Sequence, residues 1–408
     1  MKNFKVNQYA GLPRTVYILA IGKMINCIGA FITPLMSLIL IQKIGLSVTE
    51  AGFLVSFATI IQMPFMILGG KLVDTIGPKK VIVIFQTIAA MIFILCAFLP
   101  TNRILIYLLI TQSCFAALTT SCFDAIVGNI TNADNRKSSF SLIYMGLNLG
   151  YAIGPTLGAL MFEKHLSWLF LGDGLTTLIC VLLIAKFVKE NEYNNELIER
   201  PVLEERVEGS TLKILFERPA LIIFMFTTLL VHFVYAQFNF TMPIQLNEMF
   251  GSVDGPVFFG LLCSLNGIVV IVSTPIITAV TKKVQSINAM AGGVFLYAVF
   301  FGLCGFSSMK WQFVCIVIII TIGEVLMSIN FGTYVANLTP SSHRGRVLSI
   351  IPIIRGIGYA LSSSVMGLLI TGIGMQKSWM IVSLIGSIAV LFMYFLRWVP
   401  VKIKTKEM

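Results

Sequence analysis

Long apolar segments recur along the whole chain and are separated by shorter polar stretches. Each segment is about 18 to 25 residues long, enough to cross a hydrocarbon core about 30 Å thick as a helix. The alternation of polar and apolar residues that marks a membrane β-barrel is absent, and unpaired backbone groups are costly in lipid. The pattern therefore predicts an all-α membrane protein with twelve transmembrane helices. Their approximate bounds are 17–41, 51–68, 81–98, 104–127, 140–162, 168–187, 220–243, 257–280, 289–306, 311–335, 347–371 and 380–398.

The composition also indicates a membrane protein and narrows its class. Of 408 residues, 57% are hydrophobic and 12% are charged, whereas about 25% are charged in a typical soluble domain. The eight cysteines lie in apolar segments without a CxxC pair, and the three histidines lie in separate segments. The sequence contains no nucleotide-binding P-loop motif. We therefore expect no cofactor, no metal site and no enzymatic activity.

The basic residues predict an orientation in the membrane. With both termini placed in the cytoplasm, 22 of the 29 Lys and Arg residues fall on the cytoplasmic side, five fall outside, and Lys23 and Arg355 fall within the membrane. This asymmetry follows the positive-inside rule. The net charge of +11 then reflects topology and not nucleic-acid binding, and we expect a multi-pass protein of the cell membrane. The first apolar run is too long for a signal-peptide core, so we expect it to stay as the first helix.

Two short sequences recur at one fixed distance along the chain. Residues 150–152 (GYA) match residues 358–360 at an offset of 208 positions, and the motif GxLxS at 52–56 recurs at 260–264 with the same offset. One offset at two separated places indicates an old duplication of half the chain. Because the matches join helix two with eight and helix five with eleven, we predict parallel repeats. That arrangement is typical of secondary transporters with a substrate site near the membrane midplane.

A polar stretch separates the two predicted halves. Residues 188–218 carry eight acidic residues between Glu190 and Glu217. We predict a six-helix half at 1–187, a cytoplasmic linker at 188–218 and a second six-helix half at 219–408. A solvated linker is the simpler interpretation of this stretch, and a regulatory module is the alternative.

Three motifs resemble those of the major facilitator superfamily. The stretch GGKLVDTIGPKK at 69–80, between helices two and three, looks like the loop signature of that superfamily. GYAIGPTLGA at 150–159 and the pair Gly323-Glu324 resemble its drug/proton antiporter branch. The resemblance implies the twelve-helix major facilitator fold and proton-coupled transport. It also implies a conformational latch at Gly70, Asp74, Gly77, Lys79 and Lys80, and an antiporter-type helix motif at Gly150, Gly154, Pro155 and Gly158.

Both longer motifs also have a plainer interpretation. In the 69–80 loop, Gly69 and Gly70 permit close helix contact, Gly77 and Pro78 force a turn, and Asp74 has the charge that a helix N-terminus favours. A basic cytoplasmic turn explains the same residues. The corresponding stretch TAVTKKV of the second half lacks the glycines and the acid. In helix five, glycines spaced by four permit close helix packing, and Pro155 removes one backbone hydrogen bond and can bend the helix.

Six ionisable residues fall within the predicted membrane segments, where a charge is costly and marks a functional candidate. We predict that Glu324, about 20 Å from either end of its segment, carries the coupling proton. A salt bridge with Lys23 or Arg355 is the alternative for Glu324. Asp124 is a second proton-coupling candidate, with an interface charge or a latch contact as its alternatives. The six residues are Lys23, Asp124, Asp173, His232, Glu324 and Arg355.

The other ionisable residues keep open interpretations. Lys23 lies near the cytoplasmic end of its helix and either snorkels to that surface or faces the substrate. His232 is either a packed bundle histidine or a substrate contact, and we expect Asp173 to be structural. Arg355 needs an acidic partner, for which Glu324 and Asp124 are the candidates.

Amide and aromatic side chains accompany these charges on the helices expected to line a substrate cavity. Such a mixture suits an amphipathic organic molecule held by a few hydrogen bonds, although membrane aromatics also face lipid. The predicted cavity residues are Lys23, Asn26, His232, Gln237, Asn330 and Arg355.

Together these features predict a proton-coupled secondary transporter that exports small amphipathic compounds by alternating access. The alternative is a transporter of the same fold that is dedicated to one solute, such as a sugar, peptide, metallophore or lipid. The expected partners are the substrate, protons and the lipid bilayer, and no nucleic acid. A monomer suffices because two halves enclose a complete pathway.

Overall fold

A computed structural model describes residues 9–131, 135–188, 219–338 and 341–399. Within these ranges every regular element is helical and no strand is found. The predicted linker at 188–218 lies outside the described residues apart from Val188. The prediction of an all-α protein is confirmed.

Ten helices are found in residues 9–131 and 135–188. Short π-helical turns at Ile39–Lys43 and Ile82–Gln86 extend α2 and join α4 to α5. Three predicted segments are each divided between two helices, at residues 29–31, 118–121 and 152–153. The ten helices are α1 (Arg14–Ile28), α2 (Ile32–Leu38), α3 (Val48–Ile76), α4 (Pro78–Val81), α5 (Thr87–Ala97), α6 (Ile104–Ala117), α7 (Cys122–Ile130), α8 (Arg136–Tyr151), α9 (Gly154–Met161) and α10 (Leu166–Phe187).

Six further helices are found in residues 219–338 and 341–399. A 3-10 turn at Ala236–Phe238 separates the first two of them. The second is kinked at Gly251, whose φ of 87° and ψ of 171° belong to a backbone region that glycine adopts readily. The six are α11 (Pro219–Tyr235), α12 (Thr241–Thr281), α13 (Ser286–Cys304), α14 (Lys310–Leu338), α15 (Ser341–Ile373) and α16 (Met375–Phe395).

The helices follow the predicted segments and differ from them mainly at the joins. Ten stretches of described residues are long and apolar enough to cross a membrane. One of them, Pro219–Thr281, has 63 residues and contains two predicted segments on either side of the Gly251 kink. The predicted segment at 140–162, which is divided between α8 and α9, is not among the ten. The chain is therefore a multi-pass membrane protein, and twelve remains the predicted number of crossings.

The described chain forms two compact units, and each unit contains segments from both predicted halves. The first comprises Met1–Ser47, Ile61–Ile198 and Pro243–Ile271. Its buried core gathers Leu19 of α1, Ile82 after α4, Ile126 of α7 and Ile184 of α10, each 1% exposed or less. The domain boundaries predicted from the duplication at 187 and 219 describe sequence repeats and not these contact units, and they stay a prediction.

The second unit comprises Val48–Ile60, Glu199–Met242 and Val272–Met408. Phe301 of α13 stacks on Trp379 of α16 with ring centroids 6.0 Å apart, and both side chains are fully buried. Gly293 of α13 and Gly323 of α14 face each other, and a Cβ on either would lie within 3 Å of the other's carbonyl oxygen (2.6 and 2.8 Å). This close approach fixes α14 beside α13 at the residue that precedes Glu324.

Candidate functional site

The second unit brings together three of the predicted site residues, beginning with Glu324. This residue is the middle one of the 29 residues of α14, fourteen positions from Lys310 and fourteen from Leu338. Its position is therefore about 21 Å from each helix end at 1.5 Å per residue. The depth predicted for Glu324 within its helix agrees with the structure.

Helices α11 and α15 of the second unit approach each other closely at Gly358. A Cβ at this position would lie 2.6 Å from the carbonyl oxygen of Leu229 and 3.2 Å from the Cβ of His232. The contact sets the ring of His232 against that of Tyr359, with centroids 5.8 Å apart. His232 Nδ1 lies 2.8 Å from the carbonyl oxygen of Thr228. Because a carbonyl oxygen only accepts, Nδ1 donates this bond, and Nε2 is the acceptor of the neutral ring.

Arg355 lies one helical turn before Tyr359, on the same face of α15. Its guanidinium carbon is 4.2 Å from the ring centroid of Phe331 on α14, which is a cation–π contact. Tyr359 is within electrostatic range of both Arg355 and Glu324. Among the described residues Arg355 forms no salt bridge, and its buried Nε has no hydrogen-bond partner.

Aromatic rings border these polar groups. Phe224 of α11 is buried, and its ring centroid lies 5.3 Å from that of Phe331 and 4.9 Å from that of Tyr334. The charged and aromatic side chains thus come from α11, α14 and α15 of one unit. We call these seven residues the Glu324 cluster: Phe224, His232, Glu324, Phe331, Tyr334, Arg355 and Tyr359.

Sequence reasoning identified only part of the Glu324 cluster. Glu324, Arg355 and His232 were candidates because charged groups are costly in a membrane. Tyr359 was recognised only as a repeated residue, although its place one turn after Arg355 was a signal of shared position on the helix face. The arrangement of Phe224 and Phe331 had no sequence signal, since aromatic residues are common throughout the chain.

Three predicted site residues of the first unit lie on α1 or on the neighbouring α7: Lys23, Asn26 and Asp124. Lys23 Nζ lies 5.0 Å from the ring centroid of Phe123 on α7, and Lys23 is within electrostatic range of the exposed Asp124. No salt bridge joins Lys23 to Asp124 in this part of the structure. Asn26, one turn after Lys23, donates from Nδ2 to Oγ1 of Thr177 on α10 at 2.9 Å. These residues form a polar strip within the first unit, whereas the Glu324 cluster belongs to the second.

Asp173 of α10 supports the break in the first membrane segment. Its Oδ2 accepts a hydrogen bond from the backbone N–H of Ile32 at 3.4 Å, and the backbone N–H of Phe31 donates to the same carboxyl group. Asp173 is buried. The side chain satisfies backbone donors that have no helical partner at the start of α2, which agrees with the structural role that we expected.

Two predicted cavity residues are held by hydrogen bonds within the second unit. Gln237 is fully buried; its Nε2 donates to Ser362 Oγ on α15, and its Oε1 accepts from Thr241 Oγ1 at 2.6 Å. Asn330 Nδ2 donates to the carbonyl oxygen of Leu326 at 2.9 Å. A substrate would have to replace these bonds in order to contact either amide, and the substrate role of both stays a prediction.

The predicted latch residues lie in the last two turns of α3, at the turn that follows it and in α4. Gly77 has a φ of 87° and Pro78 begins α4, so the turn forms where the sequence predicted it. A Cβ at Gly69 would overlap the backbone of Leu118, whereas one at Gly70 would meet nothing within 4 Å. The close helix contact expected of both glycines is therefore made by Gly69, while Gly70 faces open space.

The charged latch residues have no described partner. Asp74 and Lys80 are exposed and Lys79 is half-buried. No salt bridge of these three is found within the described residues. The side chains at 341–349, which begin α15, lie outside the described side chains, and the latch stays a prediction.

The predicted antiporter-type motif spans the break between α8 and α9. We expected one glycine face along a bent helix, but the helix is interrupted at 152–153, and Pro155 occupies the first turn of α9, where its missing N–H is tolerated. The close packing expected of the glycines is observed against α1 and α2. A Cβ would lie 2.5 Å from the Met24 carbonyl oxygen at Gly150, 2.6 Å from the Cys27 carbonyl oxygen at Gly154, and 3.0 Å from Phe31 Cβ at Gly158.

The two repeated motifs contact each other at two places in the structure. One of these contacts lies in the second unit. Ser56 of α3 donates to the carbonyl oxygen of Ala360 on α15. Ser364 Oγ donates to Ser56 Oγ at 2.6 Å. A Cβ at Gly52 would overlap the carbonyl oxygen of Ser363, so only glycine permits this approach. We call this contact the α3–α15 seam.

The first unit contains the corresponding contact, made by α9 of the first sequence half and α12 of the second. We call this contact the α9–α12 seam. The hydroxyl groups of Ser264 on α12 and Thr156 on α9 are hydrogen-bonded at 2.6 Å. A Cβ at Gly260 would lie 2.7 Å from the carbonyl oxygen of Pro155. At the offset of 208, Gly260 corresponds to Gly52, Ser264 to Ser56, Thr156 to Ser364 and Pro155 to Ser363.

These features define the class of protein. A multi-pass helical chain with a duplicated pair of helix contacts and ionisable groups in its membrane helices has the architecture of a secondary transporter. The family model of the Major Facilitator Superfamily matches residues 19–351 and 255–407. The chain therefore belongs to the Major Facilitator Superfamily and is a membrane transporter of that family, as the loop motif indicated.

Three relatives and one solved structure illustrate the comparison. The uncharacterized MFS-type transporter YttB of Bacillus subtilis (strain 168) is 27% identical, covering 82% of this chain and 83% of its own. The Na(+), Li(+), K(+)/H(+) antiporter of Planococcus maritimus is 22% identical over 72% of this chain and 76% of its own length. The multidrug resistance protein MdtH of Blochmanniella floridana is 22% identical over 93% of this chain and 94% of its own length. A crystal structure of the peptide transporter POT in complex with sulfate has a TM-score of 0.76 at 14% sequence identity, covering 95% of this chain and 94% of that chain. This similarity supports the transporter fold of the chain.

Proposed function

We propose that this transporter exports small amphipathic organic compounds in exchange for protons, by alternating access, with Glu324 as the coupling residue. The Glu324 cluster carries this proposal, since it combines a mid-helix carboxyl group with an arginine that has no salt bridge among the described residues. A carboxyl group in a membrane helix is costly when charged. It can therefore bind a proton in one conformation and release it in another when its surroundings change.

The chemistry of the cluster suits an amphipathic substrate. Phe224, Phe331 and Tyr334 supply aromatic surface, while His232 and Arg355 supply a few polar groups that fix orientation. The names of two relatives, an antiporter and a multidrug resistance protein, favour proton-coupled export of this kind. Asp124 in the first unit is the second candidate for proton coupling, beside Lys23.

The remaining parts of the proposal concern location and conformational change. We place the protein in the cell membrane with both termini in the cytoplasm, as a monomer. The turn that contains Asp74 and Gly77 then lies on the cytoplasmic side, where it acts as the latch. The two seams lie on the outer side, and each joins a helix of one sequence half to a helix of the other, so both must open when the substrate site faces outward.

Proton movement driven by substrate tests the proposal. Purified protein in liposomes with an imposed pH gradient and an internal pH dye receives a panel of amphipathic compounds, with empty liposomes as the control. We expect several compounds to collapse the gradient with the wild type and none to do so with Glu324→Gln. A response to one compound alone would favour the dedicated transporter, and no response at all would contradict proton-coupled export.

A further inference from the structure

We propose that the substrates of the Glu324 cluster are amphipathic zwitterions whose anionic group binds Arg355 and whose cationic group binds Glu324. This inference rests on the proposed function and specifies its substrate class. Arg355 carries it, because a guanidinium group has five N–H donors and a permanent positive charge, and this one lacks a described acidic partner.

Arg355 has no salt-bridge partner among the described residues, although it lies in a membrane helix. Its Nε is buried without a hydrogen-bond partner in this part of the chain. The ring of Phe331, 4.2 Å from the guanidinium carbon, offsets part of the cost of burying the charge. An uncompensated charge in a membrane helix is otherwise strongly unfavourable. A carboxylate on the substrate would supply the missing partner, with two parallel hydrogen bonds to the guanidinium fork.

The position of Glu324 adds a second binding point. Tyr359 is within electrostatic range of both Glu324 and Arg355, so the acid and the base both lie near one tyrosine. A compound that carries both a carboxylate and an ammonium group therefore matches the two charges of the cluster. Its aromatic or apolar body would pack on Phe224 and Phe331, whose ring centroids are 5.3 Å apart.

The zwitterion also accounts for exchange with a proton. When the ammonium group of the substrate pairs with the Glu324 carboxylate, that carboxylate cannot be protonated; when a proton binds, the ammonium group loses its partner. Proton and substrate thus compete for one group, which is the requirement for antiport. A purely anionic substrate on Arg355 would instead bind better when Glu324 is neutral, and would move in the same direction as the proton.

A matched set of three ligands tests the inference by binding alone. The zwitterion 5-benzyloxytryptophan, its methyl ester (a cation) and its N-acetyl derivative (an anion) share one aromatic body. Dissociation constants are measured from the concentration dependence of the thermal midpoint of the detergent-purified wild type. We expect the zwitterion to bind about tenfold more tightly than either derivative, since each derivative loses one charge pair.

Substitutions assign each charge to its partner residue. Arg355→Gln should bring binding of the zwitterion down to the level of the ester and leave ester binding unchanged, while Arg355→Lys should retain part of the preference. Arg397→Gln is the matched control, because Arg397 also lies over an aromatic ring, 5.1 Å from Tyr394, at the end of α16. The ligand-free thermal midpoint shows whether each variant is folded.

The outcomes separate this inference from the proposed function. Equal binding of all three ligands to the wild type, or no binding of any, would overturn the zwitterion assignment whether or not Arg355→Gln folds. Because binding is measured without a gradient, a failure of proton coupling leaves this result intact. Conversely, substrate-driven proton movement with tighter binding of the ester would retain the exporter and contradict the inference.

Discussion

The α3–α15 seam and the α9–α12 seam are built from corresponding residues, yet their surroundings differ. In both seams a glycine faces a backbone carbonyl group and a serine hydroxyl group pairs with a second hydroxyl group. In the first seam α15 continues without a break from Ser341 to Ile373. In the second, the helix is divided between α8 and α9 just before Pro155. The duplication has therefore preserved the helix contact while the helix that makes it has changed.

Unlike the seam residues, the ionisable residues of the membrane helices are not repeated between the two sequence halves. None of the six has an ionisable residue at the corresponding position, 208 residues away. The repeated residues pack helices, whereas the unrepeated residues carry charge, so the structure has two equivalent seams but one Glu324 cluster. The counterparts are Val231 for Lys23, Gly332 for Asp124, Ile381 for Asp173, Met24 for His232, Ala116 for Glu324 and Leu147 for Arg355.

The largest effect should follow from filling the glycine positions of the seams. We expect Gly52→Ala and Gly260→Ala each to lower the free energy of unfolding by about 2–3 kcal/mol, because the added Cβ meets backbone that cannot move aside. The measurement is thermal or denaturant unfolding of the purified variants. Similar losses for the two variants would support equivalent seams.

Gly292→Ala is the control for these substitutions. Gly292 lies in helix α13, and a Cβ there would meet nothing within 4 Å. Alanine is a better helix former than glycine by about 1 kcal/mol, so this variant should be as stable as the wild type or more stable. A loss at only one of Gly52 and Gly260 would contradict the equivalence of the seams.

An intermediate effect is expected at Asp173, which has no repeated counterpart. Asp173→Leu removes the acceptor for the backbone N–H of Ile32 and one of the two acceptors of the Phe31 N–H, which also donates to the Gly29 carbonyl oxygen. An unsatisfied buried donor costs about 1–3 kcal/mol. Asp173→Asn keeps one oxygen acceptor and should lose less. Unfolding measurements on the two variants check the order, and an equal loss would show that the negative charge, and not the acceptor, supports the break between α1 and α2.

The smallest effect should distinguish the hydroxyl groups of the two seams. Ser56 is buried and is hydrogen-bonded to Ala360 and Ser364, whereas the half-buried Ser264 is bonded to Thr156. We expect Ser56→Ala to cost about 1 kcal/mol and Ser264→Ala about 0.5 kcal/mol, in proportion to the hydrogen bonds lost. Unfolding of both variants under the same conditions measures the difference, and a larger loss at Ser264 would reverse this ranking.

The fold could be predicted because the membrane leaves few alternatives. Apolar runs of membrane length permit only helices or closed barrels, and the runs alone indicated the all-α class. The breaks were harder to predict. Pro155 marked the division near 152–153, but the division at 29–31 depends on Asp173, which is distant in sequence. The join of α11 to α12 was missed because turns of a few residues leave no polar gap.

The candidate site could be predicted only where charge marks it. Glu324, Arg355 and His232 stood out because charged groups are expensive in lipid, but their neighbours depend on tertiary packing. Gly358 was noticed as a repeated residue, and only the structure shows that it sets α15 against His232. In the same way the sequence suggested close contacts at both Gly69 and Gly70, and packing selected the first.

The role of Glu324 is tested most directly by separating exchange from uphill transport. Proteoliposomes with the wild type, Glu324→Gln or Asp124→Asn are assayed for substrate-driven proton movement and for exchange of labelled substrate without a gradient. We predict that Glu324→Gln loses proton movement to the level of empty liposomes but keeps exchange, and that Asp124→Asn retains both. Proton movement that persists in Glu324→Gln and is lost in Asp124→Asn would contradict this assignment and place the coupling site in the first unit.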